Sequence, residues 1–573
     1  MAIEGVAIKP ILFALYLLTG YQLVAERAFS LGFSFSLLVY ALSFTLLAGC
    51  LLLTAYIRPW WVRALYAGLL AFSAAFLSMC ERITGGFLQY DTFLTLLETR
   101  GGAEDAISQY WLPIALGTLP SLLLLVALLL PVKKEPPVPR PLVLAAAPVG
   151  VAVLAVILYV RGGDGGSALP GPFTPLAYLS LAGYELATSG DEERQPVRIA
   201  PDAVPPGRDI VLVIDESVAG HYLDINHPGG VRSGLAAPQP GVAIHNYGLA
   251  ASITNCSVGS NVTLRHGGTR EAYVGMNRSM PTLWHYARVA GFTTALVDSQ
   301  NSGALYDRRL IRDGVVQHHL TMEGIPVEER DLAAADEVAR LLNNDRADFV
   351  IVNKVGAHFP VHDKYPDEYM RYRPALPRGG WANVADNGRP SGFGGGPGDW
   401  ARYRNAYRNT LLWNVGAFFD RLLATADFSG ATLIYTSDHG QDLHDDGRRG
   451  YTTHCSAEPK MEEGVVPLVV VAGPDAQAPD WGLNVIANRN RASHYNVFPT
   501  LLALMGYRES DVQPVYGRSL LQATRDPLTF NSRFHARLGR GPMWRRIEPG
   551  RVNPPNALAD ARGGGGGQTH AAR

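Results

Sequence analysis

Five apolar runs fill the first 160 residues. They span about Ile8–Glu26, Phe33–Tyr56, Trp61–Met79, Tyr110–Leu130 and Pro141–Val160. Each is close to the ~20 residues a helix needs to cross the hydrocarbon core of a bilayer. Buried helices of a soluble core are the alternative, and five such runs in succession argue against it. A cleaved leader peptide fits poorly, because further spans follow the first. The expected N-terminal domain is therefore an α-helical five-span membrane domain over residues 1–160.

Basic loops set the expected orientation. Arg58 and Arg63 follow the second run, and Lys133, Lys134 and Arg140 follow the fourth. Both loops lie on one side of the membrane, the cytoplasmic one. The loop between the third and fourth runs holds Glu81, Asp91, Glu98, Glu104 and Asp105 against Arg82 and Arg100, and belongs outside. With five spans, everything after Val160 is outside as well.

The remainder of the chain is of another kind. Residues 161–207 are rich in Gly and Pro around a short helical stretch, and read as a linker with a bridging helix. From residue 208 to 524, runs such as DIVLVIDES, TTALVDSQN, ADFVIVNKVGAH, ATLIYTSDHG and VVPLVVVAGPD alternate with helical segments. That pattern predicts an α/β domain with a mainly parallel sheet covered on both faces. A Gly-rich stretch from Arg378 to Trp400 reads as an insertion. Residues 525–573 turn Arg-, Pro- and Gly-rich and are expected to be a disordered tail. The charged share of 18% and the mean hydropathy of +0.04 average these unlike parts. A formal net charge of −1 excludes a strongly basic nucleic-acid binder, and four cysteines exclude a disulfide scaffold.

Sites in such sheets gather at the carboxyl ends of strands. Those ends supply Asp215, Glu216 and Ser217, then Asp438 and His439, then His358 and His362, with His454 following. Carboxylates and imidazoles from several strands suit zinc or another divalent ion. The hydroxyl-rich segment SITNCSVGSNVTLR, Ser252 to Arg265, offers a nucleophile activated by a metal, or an ordinary helix-capping loop.

With these blocks in order, the chain resembles the phosphoethanolamine transferases of Gram-negative inner membranes, within the alkaline phosphatase/sulfatase-like superfamily. The resemblance runs from about Pro10 to Leu521 and includes YRNTLLW and SHYNVFPTLLALMGY. It implies a sulfatase-like ectodomain in the periplasm, with Glu216, Ser260, Asp438 and His439 as metal ligands for one zinc ion or two. Ser260 is the implied nucleophile, four residues after Cys256, where the family usually has Thr; Ser257 and Thr263 are its rivals. His358 and His454 complete the catalytic set. Asn353 stands where the family has a second His, and is assigned with His358 to substrate binding. Asp215, where Gly is usual, is an extra ligand candidate. Glu104 and Thr95 correspond to a lipid-substrate segment, or lie on a plain interfacial helix. Cys256 and Cys455 then flank one site, either bridged in an oxidising periplasm or as two free thiols. The implied reaction moves phosphoethanolamine from phosphatidylethanolamine, through a covalent Ser/Thr intermediate, to lipid A or another glycolipid or glycan acceptor. The expected protein is a monomer with lipid partners and no nucleic acid. Phosphoglycerol transfer and a non-catalytic binding module are the alternatives. A formylglycine sulfatase lacks support, since no Pro or Arg follows Cys256 at the required spacing.

Overall fold

Every one of the apolar runs is helical in the computed structural model, but the first is broken. The structure describes residues 8–84, 87–98, 103–132, 138–163, 165–188, 193–202, 208–300, 305–377, 395–448, 453–456, 458–476, 480–534 and 541–555. Lys133, Lys134, Arg100, the Gly-rich stretch from Arg378 to residue 394 and the end of the tail lie outside these residues. The described residues form two units, one up to Thr188 and one from Glu193.

In the first unit, α1 (Ile8–Leu18) and α2 (Tyr21–Leu31) meet at 63° across the break at Gly20. Then come α3 (Phe35–Thr54), α4 (Trp60–Thr84), α5 (Tyr90–Glu98), α6 (Ala103–Leu129) and α7 (Arg140–Val160). Among the described residues, four helices are long and apolar enough to cross a membrane alone, and a fifth span results if the bent pair is one. Small residues let these helices approach, as expected where lipid removes the hydrophobic drive. A Cβ on Gly117 of α6 would sit 2.9 Å from the Met79 backbone of α4. The expected bridging segment is α8 (Thr174–Thr188), and it packs into this unit's own core through Ala177, Tyr178 and Leu181.

The second unit is built on a seven-stranded sheet: β1 (Ile210–Asp215), β2 (Ala243–Ala251), β3 (Thr293–Asp298), β4 (His318–Thr321), β5 (Asp348–Asn353), β6 (Thr432–Ser437) and β7 (Val465–Ala472). The order is β2-β7-β6-β1-β5-β3-β4. Pairings from β6 through β1, β5 and β3 to β4 are parallel, whereas β7 runs antiparallel to β6 and to β2. Strand side chains alternate between faces. Val211 and Val213 enter one core, and Ile210, Leu212 and Ile214 enter the other.

The tail departs from its expectation. β8 (Thr529–Asn531) pairs antiparallel with β9 (Trp544–Arg546). Phe530 is buried with Ala251, Val465 and Ile547, and Arg270 grips Asp526 at 2.8 Å. Composition suggested disorder there, but these apolar and charged anchors recruit the segment to the domain. The Asn531 N–H donates to the Ile253 carbonyl at 2.8 Å, so the tail supports the loop that enters the site.

Candidate metal and nucleophile site

Glu216 and the Asp438–His439 pair emerge together because β1 and β6 are neighbours, with Asp215 opposite Ser437. One ligand atom from each of Glu216, Asp438 and His439 lies within 4.8 Å of the others, and all three residues are buried. His439 Nε2 is 3.4 Å from Glu216 Oε1 and 3.8 Å from Asp438 Oδ2. Its Nδ1 is 2.7 Å from the Gly440 carbonyl, a pairing that fixes the ring and turns Nε2 inward. Asp438 Oδ1 accepts from the Ser217 N–H at 3.0 Å, and its Oδ2 from Asn261 Nδ2 at 3.4 Å. Gly356 is required behind them. Its φ is +55°, and a Cβ there would sit 2.3 Å from Asp215 Oδ1 and 2.5 Å from the Glu216 carbonyl.

The electrostatics of this cluster call for a cation. Burial works against the Glu216 charge, yet the His439 hydrogen bond and the charges of His358 and His439 hold its carboxyl below the usual range. Burial and the Glu216 charge push Asp438 up to about 8. Burial opposes a charge on His439 too, but Asp438 and Glu216 outweigh it and raise the imidazole to about 10. Protons thus compensate two carboxylates that a divalent metal would compensate instead. Two carboxylate oxygens and one inward imidazole nitrogen fit such an ion.

The three candidate hydroxyls Ser257, Ser260 and Thr263 lie differently relative to the cluster. α9 (Ser257–His266) starts at Ser257, with Cys256 at its N-cap. Ser257 Oγ is 2.9 Å from Glu216 Oε1 and 3.2 Å from His439 Nε2. Ser260 lies one turn further, roughly 4.5 Å along the axis. Its hydroxyl is fully buried and pairs with the Thr254 carbonyl at 3.3 Å. Thr263 Oγ1 turns to Asn277 at 3.2 Å. Ser217 Oγ also donates to Glu216 Oε1, at 2.8 Å, but of the three candidate hydroxyls on α9 it is Ser257's that reaches the cluster and pairs with both Glu216 and His439, whereas Ser260 is bonded to Thr254.

His358 and His454 do come to the site. The His454 ring stacks on His439 with centroids 4.3 Å apart. Burial and the neighbouring His439 charge keep His454 far below its ordinary value. His358, seated on Phe359, is lowered by burial while the nearby Glu216 pulls it back. Cys256 and Cys455 are disulfide-bonded.

Asp215 is not a ligand of this cluster, and Asn353, expected at the substrate, is tied up in a hydrogen-bond network behind it. On β1 the alternation sends Asp215 to the face opposite the cluster, where Lys354 arrives from the end of β5. Lys354 Nζ is 2.7 Å from Asp215 Oδ2, and Tyr435 OH donates to the same oxygen at 3.0 Å. Asn353 faces the other way, accepting from Arg265 at 2.8 Å and donating to Asp298 at 2.9 Å. Arg265 also binds Asn261, the partner of Asp438. Asn353 thus stands two hydrogen-bonded residues behind a ligand. Thr95 and Glu104 lie on α5 and α6, and their side chains are outside the described set. Gln300 carries no motif in the sequence, yet its amide donates to Glu216 Oε2 at 3.2 Å and to the Lys354 carbonyl at 2.8 Å. Its place two residues past the end of β3, on the same sheet edge, was the available signal.

The sulfatase family matches residues 208–507, just over half of the chain. No match is found among curated proteins. Among solved structures, the integral membrane lipooligosaccharide phosphoethanolamine transferase A (EptA) of Neisseria meningitidis aligns with a TM-score of 0.64 at 18% identity, covering 90% of this chain and 99% of that one. The C-terminal periplasmic domain of EptC from Escherichia coli, in complex with zinc, aligns with a TM-score of 0.47 at 17% identity, covering 59% and 92%. The first likeness extends the shared fold beyond the family match into the N-terminal helices.

Proposed function

The chain belongs to the sulfatase family, and on that premise we propose that it is a zinc-dependent phosphoethanolamine transferase of a Gram-negative inner membrane, with Ser257 as nucleophile. One observation carries this reading: the Ser257 hydroxyl touches both Glu216 and His439 inside a buried cluster built for a divalent ion. The Neisseria protein that shares the fold over 90% of this chain is, by its name, a phosphoethanolamine transferase, which supports the headgroup. Apolar helices on the same chain support lipid substrates, because anchoring raises their effective concentration at the site.

Zinc held by Glu216, Asp438 and His439 would lower the pKa of a hydroxyl and offset charge on the transferring phosphoryl group. Ser257 sits at the first position of α9, where unpaired N–H groups face an anion. Its Oγ attacks phosphorus of phosphatidylethanolamine; the serine–phosphorus ester forms as the bond to the diacylglycerol oxygen breaks. The Ser257 proton passes through the His358 and His454 imidazoles to that leaving oxygen. A phosphate or hydroxyl of lipid A or another glycan then attacks the same phosphorus. The Ser257 ester breaks, and the acceptor's proton returns to Ser257 by the same imidazoles. On the helical unit, Thr95 and Glu104 are the residues we assign to the lipid substrate.

The test is mass spectrometry of lipid A and core sugars from cells expressing the wild-type chain or Ser257→Ala. Added phosphoethanolamine that disappears in the variant supports the reading. Added phosphoglycerol would replace the headgroup, and an unmodified glycolipid with a metal-free protein would favour a binding module.

A further inference from the structure

We propose that the Cys256–Cys455 disulfide braces the pair Ser257 and His454, and that its reduction switches transfer off while the metal ligands stay in place. The inference rests on Ser257 being the nucleophile. Cys256 directly precedes Ser257, and Cys455 directly follows His454. The bridge therefore ties the start of α9 to the arm carrying His454, across 199 residues of chain. The metal ligands hang on other elements: Glu216 follows β1, and Asp438 and His439 follow β6. Cleavage therefore loosens Ser257 against His454 without touching the strands that hold the ligands.

Two features make the bridge responsive. Both cysteines are only half-buried, so a small dithiol reaches them. Cys455 also has φ +54°, a left-handed conformation unfavourable for a residue with a Cβ, and relaxes when released. Hydrogen bonds from the Cys455 N–H to Asn255 at 2.9 Å and from the Ser456 N–H to Glu463 at 3.1 Å keep the arm nearby. After cleavage the arm's register rests on these bonds and on the Asn255 amide's 3.2 Å bond to the Ser456 carbonyl, without the covalent tie. Bonded sulfurs lie about 2 Å apart, whereas non-bonded heavy atoms need about 3.5–4 Å. The sulfurs must separate on reduction, by side-chain rotation or by a shift of the two segments, and we infer a shift of about an ångström, a displacement that costs about 100-fold in rate. The remaining cysteines, Cys50 and Cys80, lie in α3 and α4. The electrons therefore come from an external dithiol. It passes two electrons and two protons to the bridge, giving two thiols here and a cyclic disulfide on the reductant.

The experiment uses the full chain in detergent, with phosphatidylethanolamine as donor, before and after dithiothreitol. We expect kcat to fall about 100-fold with KM little changed and zinc content constant, and reoxidation to restore the rate. The double variant Cys256→Ser, Cys455→Ser should have the reduced enzyme's rate and ignore dithiothreitol. A reduced wild type that keeps its rate would overturn the proposal. So would a loss of rate accompanied by loss of zinc, because the bridge would then be a staple of the whole site. If the oxidised wild type transfers no phosphoethanolamine, the donor reading fails instead. The brace is then read from hydrolysis of bis(4-nitrophenyl) phosphate in the two redox states, with the same fall expected.

Discussion

The two units of this chain put the same residue types to opposite use. In the helical unit, Phe33, Phe35, Phe72 and Val160 point outward, and small residues such as Gly117 lie where helices touch. In the sheet unit, large apolar side chains fill both faces of the sheet, and the polar ones go inside as well. Asp215, Lys354, Arg265, Asp438 and His439 are all essentially inaccessible. The difference is one of solvent. Lipid leaves apolar surface without a driving force to hide, so packing and shape hold the helices. Water drives apolar surface inward, and charges follow only where partners meet them. Chemistry therefore concentrates in the unit where burying a charge has been arranged for.

The contrast breaks first at Ser257. Ser257→Ala should reduce transfer by at least ~1000-fold, and Ser260→Ala should leave most of it, at a stability cost of about 1 kcal/mol for its hydrogen bonds to Thr254. Transfer assays beside thermal melts of both variants decide between them. Next is the buried charge. Lys354→Met strands Asp215 at 2.7 Å and Asp331 at 3.8 Å, and should cost the sheet unit about 3–5 kcal/mol, read by denaturant unfolding. Gly117→Val tests the other regime: overpacking against Met79 should cost about 1–3 kcal/mol within the helices, with zinc content unchanged. The last effect is a pH slope. Burial raises Asp209 to about 7, above its unfolded value of about 4. The folded state therefore binds more protons between those values, and stability falls as pH rises from about 4 to 7. Asp209→Asn keeps an acceptor for the Asp348 N–H and should flatten that slope in melts taken at pH 5 and pH 8.

Much of this was legible in the residues. Apolar runs of bilayer length and strands ending in Asp, Glu and His announced both units and the buried cluster of Glu216, Asp438 and His439. What escaped has physical reasons. The start of a helix decides which hydroxyl lies nearest the cluster; the spacing implied by the resemblance points to Ser260, whereas the first residue of α9 is Ser257. Period-two alternation on β1 and β5 places Asp215 and Lys354 on one face, but Lys354 lies one residue past the end of β5, where alternation alone does not fix a side chain. The tail was judged by composition, and anchors such as Phe530 and Asp526 are single residues that composition averages away.

The central claim is that the phosphoryl group passes through Ser257. Peptide mass spectrometry of the wild-type protein, quenched during turnover with phosphatidylethanolamine and no acceptor, tests it directly. The expected result is phosphoethanolamine on Ser257 alone. The same group found on Ser260 or Thr263 would contradict it, as would turnover that proceeds with all three residues unmodified.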